Sequence, residues 1–375
     1  MKRCIALLIL LLSAFSVPSG ALQSETAQVL IESHTGQVLY AENENKQLSV
    51  GSVTKTMLLL IAAEKISEGA LSSGDAVTVS PYASSIEGSV IWLEPGEIMT
   101  AGDLLKSIII SSANDAAVAL AEHLSGSEKE FVKLMNEKAA ELGLTNTNFT
   151  GCVGFDDPDH YSSAHDMAVV TAKLFEYDCF NDCFKTRLSS VRTGTKRETQ
   201  LINTNKLANS YDGCLGGKTG TTDKAGYCLS VCAERDGMRL IAVTLGARSD
   251  NERTENCRIL LDTGFKNYEK YKAVINEENL PVLSVPNGVI KKLRLKINSP
   301  VNCVIPKGSY DSLTYNYTVP EKLLAPVEKG QKVGEARAMI KDKLIFKSDI
   351  VAAEACEKLT FLKSIKINSE AFFKP

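Results

Sequence analysis

Residues 225 to 247, "AGYCLSVCAERDGMRLIAVTLGA", constrain the fold more than any other stretch of this chain. Two alternating apolar runs meet at Asp236-Gly237, a dipeptide that tolerates the positive φ a tight hairpin turn requires. Two long antiparallel strands must therefore be neighbours. A second hairpin is legible near the other end, in "AQVLIESHTGQVLYAEN", with its turn at His34-Thr35-Gly36. The pattern between them is helical, above all over residues 101–175, where Ser127 and Glu130 form a capping box opening "SEKEFVKLMNEKAAELGL". "TENCRILLDTGFKNY" reads as a closing helix. Strands from both ends of a helical middle describe an α+β domain, an antiparallel sheet with a helical subdomain.

The chain has 375 residues, enough for two domains. From Glu277 the texture changes to short alternating runs, "KKLRLKI" and "SLTYNYTV", broken by the turns "VPNG", "IPKG" and "VEKG". The expected division is a large domain over 22–276 and a small β-rich domain over 277–360. Residues 1–21 carry two positive charges, an apolar run from Ile5 to Val17, then small residues at Ser19 and Ala21. That is the pattern of a secretory signal peptide cleaved after Ala21, and the run is too short for a membrane span. An exported protein is expected, acting at the outer face of the membrane or in the cell-wall space. Ten cysteines, nine beyond Cys4, show no zinc-ligand spacing and read mostly as small buried hydrophobes. Residues 22–288 hold 24 Lys and Arg against 36 Asp and Glu, and residues 289–375 hold 16 against 9. A basic end on an acidic body suits an anionic envelope surface. The final stretch 361–375 places Phe361, Leu362, Ile365 and Phe372 among lysines, as a short membrane-associating tail or as a loose end.

Ser52 and Lys55 stand three apart in "SVGSVTKTMLLLIAAEKI". Alone, the pair could be a helix cap and a solvated lysine. Downstream, however, come Ser112-Ala113-Asn114 at an expected helix start and Lys218-Thr219-Gly220-Thr221 just before the hairpin. S-x-x-K, S-x-N and K-T-G in this order constitute an acyl-transfer constellation. Positions i and i+3 share a helix face, so Lys55 can reach the Ser52 hydroxyl. A serine needs a base, and a lysine can serve if burial and a neighbouring charge, here expected from Lys218, lower its pKa. Ser112 can relay a proton between Lys55 and a leaving amine, and Asn114 can hold a substrate amide. The N–H groups of Ser52 and Thr221 can stabilise an oxyanion. Lys218, Thr219 and Thr221 can receive a substrate carboxylate.

On these motifs the chain resembles the serine-type D-alanyl-D-alanine carboxypeptidases, the low-molecular-mass penicillin-binding proteins. The likeness runs through "VGSVTKTM", "SSANDAAVALAEHLSGSEKEFVKLMNEKAAELGLTNTNF", "HYSSAHDMAVV", "GGKTGTTDKAGYCL" and "APVEKGQKVGEA". It implies a β-lactamase/transpeptidase-like fold without metal or cofactor. The implied chemistry is acylation of Ser52 by the penultimate D-Ala of a peptidoglycan stem peptide, release of the terminal D-Ala, and hydrolysis by water. It further implies β-lactams as covalent inhibitors at Ser52, no nucleic-acid partner, and Arg253 as a holder of the substrate carboxylate. Gly51 stands where alanine is usual, Thr221 where His or Tyr is frequent, and Thr204 where some members carry arginine. The last two differences bear on substrate preference and deacylation.

Competing readings fit less well. "GCLGGKT" has Asp212 where a P-loop needs glycine. A Ser-His-Asp hydrolase using His165 or Asp166 lacks its G-x-S-x-G elbow, and these two read as helix-capping and packing residues. A class A β-lactamase uses a glutamate for deacylation, which "GCVGFDDPDHYSS" does not clearly offer, leaving Asp156 or Asp157 as the alternatives. A β-lactam sensor needs a transmembrane segment beyond the leader.

Overall fold

The computed structural model describes residues 26–273, 277–297 and 301–365; the expected signal peptide and residues 366–375 of the expected tail lie outside these. Strands β1 (Ala27–Glu32) and β2 (Val38–Glu42) make the first hairpin, and a 3-10 turn, Gly51–Thr54, leads into α1 (Lys55–Ser67). A small hairpin, β3 (Ala76–Thr78) and β4 (Ile98–Thr100), encloses the one-turn α2 (Pro81–Ser84). Helices α3 (Ala101–Ser111), α4 (Asn114–Ser125), α5 (Glu128–Glu141), α6 (Ala164–Leu174) and α7 (Asn181–Lys185) follow. After hairpin β5 (Leu188–Val191) and β6 (Thr199–Ile202), the chain re-enters the sheet as β7 (Cys214–Thr222), β8 (Gly226–Arg235) and β9 (Met238–Ala247). Helix α8 (Asp250–Asn267) closes the unit.

The main sheet is antiparallel with order β2-β1-β9-β8-β7, so β7, which carries Lys218-Thr219-Gly220, is an edge strand. The β8–β9 turn has φ 51° at Asp236 and 72° at Gly237, the hairpin read from the sequence. Side chains alternate across the sheet. Val29, Ile31, Ile241, Val243 and Leu245 join the core beneath the helical middle, whereas Leu30, Leu240 and Ala242 pack with Cys257, Leu261 and Phe265 of α8. Ser127 Oγ accepts from the Glu130 amide, as the capping pattern requires.

Every residue from Lys55 to Ala63 is buried. Helix α1 is a central helix covered on all sides, which explains why its sequence shows an apolar run instead of an amphipathic stripe. This burial already excludes a solvated Lys55.

The C-terminal part is β-rich, as expected. Strands β10 (Tyr268–Ala273), β11 (Leu283–Ser284), β12 (Lys292–Leu293), β13 (Leu295–Ile297), β14 (Val301–Pro306), β15 (Leu313–Thr318), β16 (Lys332–Ile340) and β17 (Lys343–Ala352) form three small sheets. β10 lies before the division expected at 276/277, yet it follows α8 directly and pairs with β14. The expected closing helix ends at Tyr268, and the alternating residues beyond it belong to no expected element. Phe361 and Leu362, in a helical turn at 361–365, are 80% and 78% exposed.

Candidate active site

Ser52 sits in the 3-10 turn one residue pair before α1, and Lys55 is the first residue of that helix. Lys55 Nζ donates to Ser52 Oγ at 2.7 Å, to Asn114 Oδ1 at 2.6 Å and to the Val153 carbonyl at 3.3 Å. The lysine is 0% exposed. Burial lowers its pKa from the usual 10.5 to about 7, although Cys152 and Asp115 pull it upward. The cause is desolvation first, and not the Lys218 charge expected from the sequence. Lys218 is equally enclosed, and its own pKa is held well below the lysine range by burial, with the charges of Lys55 and Arg253 adding to it.

Ser112 is not at a helix start. It ends α3 in the left-handed conformation, φ 63° and ψ 30°, and α4 begins two residues later at Asn114. That backbone is uncommon for a serine and persists where neighbours enforce it. Here the Ala113 amide donates to the Ser107 carbonyl and the Asn114 amide to the Ser89 carbonyl at 2.6 Å. Ser112 Oγ thereby accepts from Lys218 Nζ at 2.8 Å. The cleft contains two Ser–Lys pairs, Ser52 with Lys55 and Ser112 with Lys218. Asn114, expected to hold substrate, has both ends of its amide engaged, by Lys55 and by the Glu87 carbonyl at 2.7 Å. In this state it holds the Lys55 amine.

The third wall is β7. A Cβ built on Gly220 would lie 2.4 Å from the Val50 carbonyl and 2.9 Å from the Ser52 nitrogen, so only glycine lets the strand edge approach the turn. On the facing side, a Cβ on Gly51 would meet the Thr221 nitrogen at 3.0 Å. The Ser52 and Thr221 amides thus lie where the edge of β7 meets the turn. Thr219 Oγ1 donates to Thr204 Oγ1 at 2.7 Å, while Thr221 is exposed.

Arg253 reaches the same strand from α8, but from behind. Its Nη1 donates to the Gly220 carbonyl (2.8 Å), Thr221 Oγ1 (3.0 Å) and the Cys228 carbonyl (3.1 Å), and its Nε to Asp250 at 2.8 Å. With 6% exposure and an ion pair to Asp250 at 2.6 Å, it does not extend a free guanidinium into the cleft. The structure brings eight of the nine expected residues to one place and sets the ninth, Arg253, one layer back.

The Val153 carbonyl, Glu87, Ser89 and Asp115 were not foreseen, since backbone acceptors and loop anchors leave no sequence signature. Of the alternatives, Asp166 is not the expected helix cap, a part taken by Ser163; its carboxylate accepts from the Asn146 amide and Thr147 as a structural anchor. Asp156 is tied to Thr222 and to the Lys224 amide, clasping its loop to the β7–β8 turn. The nine described cysteines are free, seven of them buried.

Residues 14–249 match the sequence profile of the D-alanyl-D-alanine carboxypeptidase family, and residues 268–358 that of the penicillin-binding protein 5 C-terminal domain. The chain belongs to the D-alanyl-D-alanine carboxypeptidase family. It is 38% identical over 360 residues to the D-alanyl-D-alanine carboxypeptidase DacF of Bacillus subtilis, covering 94% of this chain and 92% of the relative. It is 33% identical to DacC of Escherichia coli, over 88% of this chain and 84% of the relative. Among solved structures, penicillin binding protein 5 from Haemophilus influenzae superposes with a TM-score of 0.80 at 29% identity, covering 88% of this chain and 97% of that one. A mutant of the Streptomyces K15 DD-transpeptidase covers 64% of this chain with a TM-score of 0.60 at 28% identity. The carboxypeptidase family membership agrees with the fold and function expected from the motifs, and the β-lactamase and sensor alternatives are not favoured.

Proposed function

We propose that this protein removes the terminal D-alanine from peptidoglycan stem peptides ending D-Ala-D-Ala through an acyl-enzyme on Ser52, and that β-lactams acylate the same serine. The observation that carries the reading is a fully buried Lys55 whose amine lies 2.7 Å from Ser52 Oγ. Lys55 takes the Ser52 proton as the oxygen attacks the penultimate D-Ala carbonyl carbon. The resulting oxyanion accepts from the Ser52 and Thr221 amides. The C–N bond then breaks, and the proton taken from Ser52 ends on the departing amine nitrogen, carried by Ser112. Because Lys218 donates to Ser112 Oγ, the Ser112 hydroxyl proton is directed elsewhere, toward the substrate. Water later attacks the ester carbonyl, giving the free acid and restoring Ser52.

The substrate carboxylate is received by Thr219 and Thr221 beside Lys218. Arg253 supports this subsite through Thr221 and the Gly220 carbonyl and adds positive charge behind it. Asn114 positions Lys55 until substrate arrives and then offers its amide to the peptide. The enzyme is exported, its catalytic part ends near residue 267 where β10 begins, and residues 361–375 make peripheral contact with the membrane surface. No helix among the described residues is long and apolar enough to cross a membrane.

Mass spectrometry after incubation with penicillin and with a pentapeptide ending D-Ala-D-Ala tests the reading. A penicillin adduct on Ser52 and loss of one D-Ala from the peptide are expected, both absent in Ser52→Ala. An adduct on Ser112, or one that persists in Ser52→Ala, overturns it.

A further inference from the structure

The chain has one tryptophan, Trp92, and it is 68% exposed in a left-handed backbone conformation, φ 55°. A bulky residue adopts that conformation only where its surroundings over-determine it. They do so here on both sides. The buried carboxylate of Asp115 accepts from the Ile91 amide (3.1 Å) and the Leu93 amide (3.0 Å), gripping the residues that flank the ring. The Ile91 carbonyl accepts from Arg192 at 3.0 Å and the Trp92 carbonyl from Arg197 at 2.5 Å. Arg192, itself at φ 57°, is anchored to Glu97 at 2.6 Å, and Glu97 also binds Arg197 at 2.9 Å. Backbone strain held this firmly around an exposed aromatic ring is of the kind that clusters at ligand clamps and functional sites.

The mount is joined to the catalytic cleft. Asp115 follows Asn114 in the chain, the Ser89 carbonyl receives the Asn114 amide, and the Glu87 carbonyl receives its side chain. A cavity of about 350 Å³ is lined by Trp92 and Ile91 on one side and by the polar residues Arg192, Arg197, Glu198, Thr199 and Gln200 on the other. An aromatic face beside amide, carboxylate, guanidinium and hydroxyl groups is the chemistry that receives a sugar: C–H bonds stack on the ring, and hydroxyl and acetamido groups find hydrogen-bond partners at its side.

We propose that Trp92 and this cavity bind an N-acetylated sugar of the glycan strand to which the stem peptide is attached. The inference rests on the D-Ala-D-Ala reading for the identity of the polymer. Four residues separate the glycan from the scissile bond in a pentapeptide stem, and four extended residues reach about 13–14 Å. A sugar platform must therefore lie near the cleft, and the segment that leads to Trp92 starts there, where Asn114 holds the Glu87 and Ser89 carbonyls.

The sole tryptophan makes the test direct, because its emission reports the platform without turnover. A peptide-free GlcNAc–MurNAc tetrasaccharide is titrated into the full-length protein, before and after Ser52 is blocked with penicillin. A saturable change in emission in both forms is expected. In kinetics, Trp92→Ala should lower kcat/KM for a disaccharide-linked pentapeptide by on the order of ten-fold, and Trp92→Phe should retain most of it. The free pentapeptide should change by less than about two-fold for either variant. An unchanged emission, or an equal loss on both substrates in Trp92→Ala, overturns the proposal. If the tetrasaccharide binds but no D-Ala is released from either peptide, the sugar site stands and the carboxypeptidase reading falls.

Discussion

Titrating the acylation rate examines the state of Lys55 most directly. Full burial lowers its pKa to about 7. An exposed lysine of pKa 10.5 would be neutral in only about three molecules in ten thousand at pH 7, whereas the buried one is neutral in about half, a roughly thousand-fold gain in free base. The second-order rate constant for acylation by a fluorescent penicillin should therefore climb about ten-fold per pH unit below 6, pass its half-maximum near pH 7 and level off above 8. Stopped-flow fluorescence between pH 5 and 9 supplies the profile. Lys55→Arg keeps the charge but cannot lose it, so acylation should drop by about 10²–10⁴-fold at pH 8. A profile flat from pH 6 to 9, or an arginine variant within a few-fold of wild type, would refute the assignment of Lys55 as the base.

Arg253→Ala should weaken hydrolysis of a substrate ending in free D-Ala by roughly ten- to a hundred-fold, a loss of about 1.5–3 kcal/mol. Because Arg253 also holds the Gly220 and Cys228 carbonyls, the variant should melt at a lower temperature too; unchanged melting with unchanged kinetics would remove it from the site. Gly51→Ala places a Cβ at φ 53° and 3.0 Å from the Thr221 nitrogen, so stability should fall by about 1–2 kcal/mol, read as a melting shift of a few degrees; an unshifted melt counts against the strained geometry. His160, buried against Thr54, has its pKa lowered to about 4 by desolvation. The unfolded chain binds a proton near pH 6.5 and the folded one only near 4, so stability is lost as pH falls through that window, by about 3 kcal/mol in all; His160→Gln should flatten this part of the stability–pH curve, and an unaltered slope would show that other groups cause the loss.

How much of this was legible depended on whether a residue's role is local. The β8–β9 hairpin was readable because Asp236-Gly237 states its turn in two residues, and Ser52 with Lys55 because i and i+3 meet without tertiary help. β10 was missed because "NYEKYKA" has no turn signal between it and α8; its pairing with β14 is decided some thirty residues later. The same limit applied inside the site. Residue types named the chemistry, but Ser112 looked like a helix start and is an αL helix end, a distinction set by the contacts of Ala113 and Asn114 with Ser107 and Ser89. Arg253 was named from the resemblance alone, and sequence spacing gave no sign that Asp250, three residues earlier on α8, would engage its guanidinium.

The pKa logic shows why such differences matter for mechanism. From sequence, the lowering of Lys55 needed a positive neighbour, and Lys218 was the candidate. In the fold, desolvation is the leading cause for both lysines. A site activated by charge repulsion would weaken in salt, because exposed charges are screened over about 8–10 Å. A site activated by burial would keep its base as salt rises and lose it when water enters. On the proposed mechanism, the packing that seals Lys55, with Asn114 on one side and the Val153 carbonyl on the other, is part of what makes the lysine a base. Asn114→Ala should accordingly move the midpoint of the acylation profile, and not only its height. It removes one acceptor that favours the protonated amine while admitting water that favours the charged form, and the direction of the shift reports which effect is larger. A midpoint that stays at the wild-type pH, with only the maximum reduced, would confine Asn114 to contacts with the substrate.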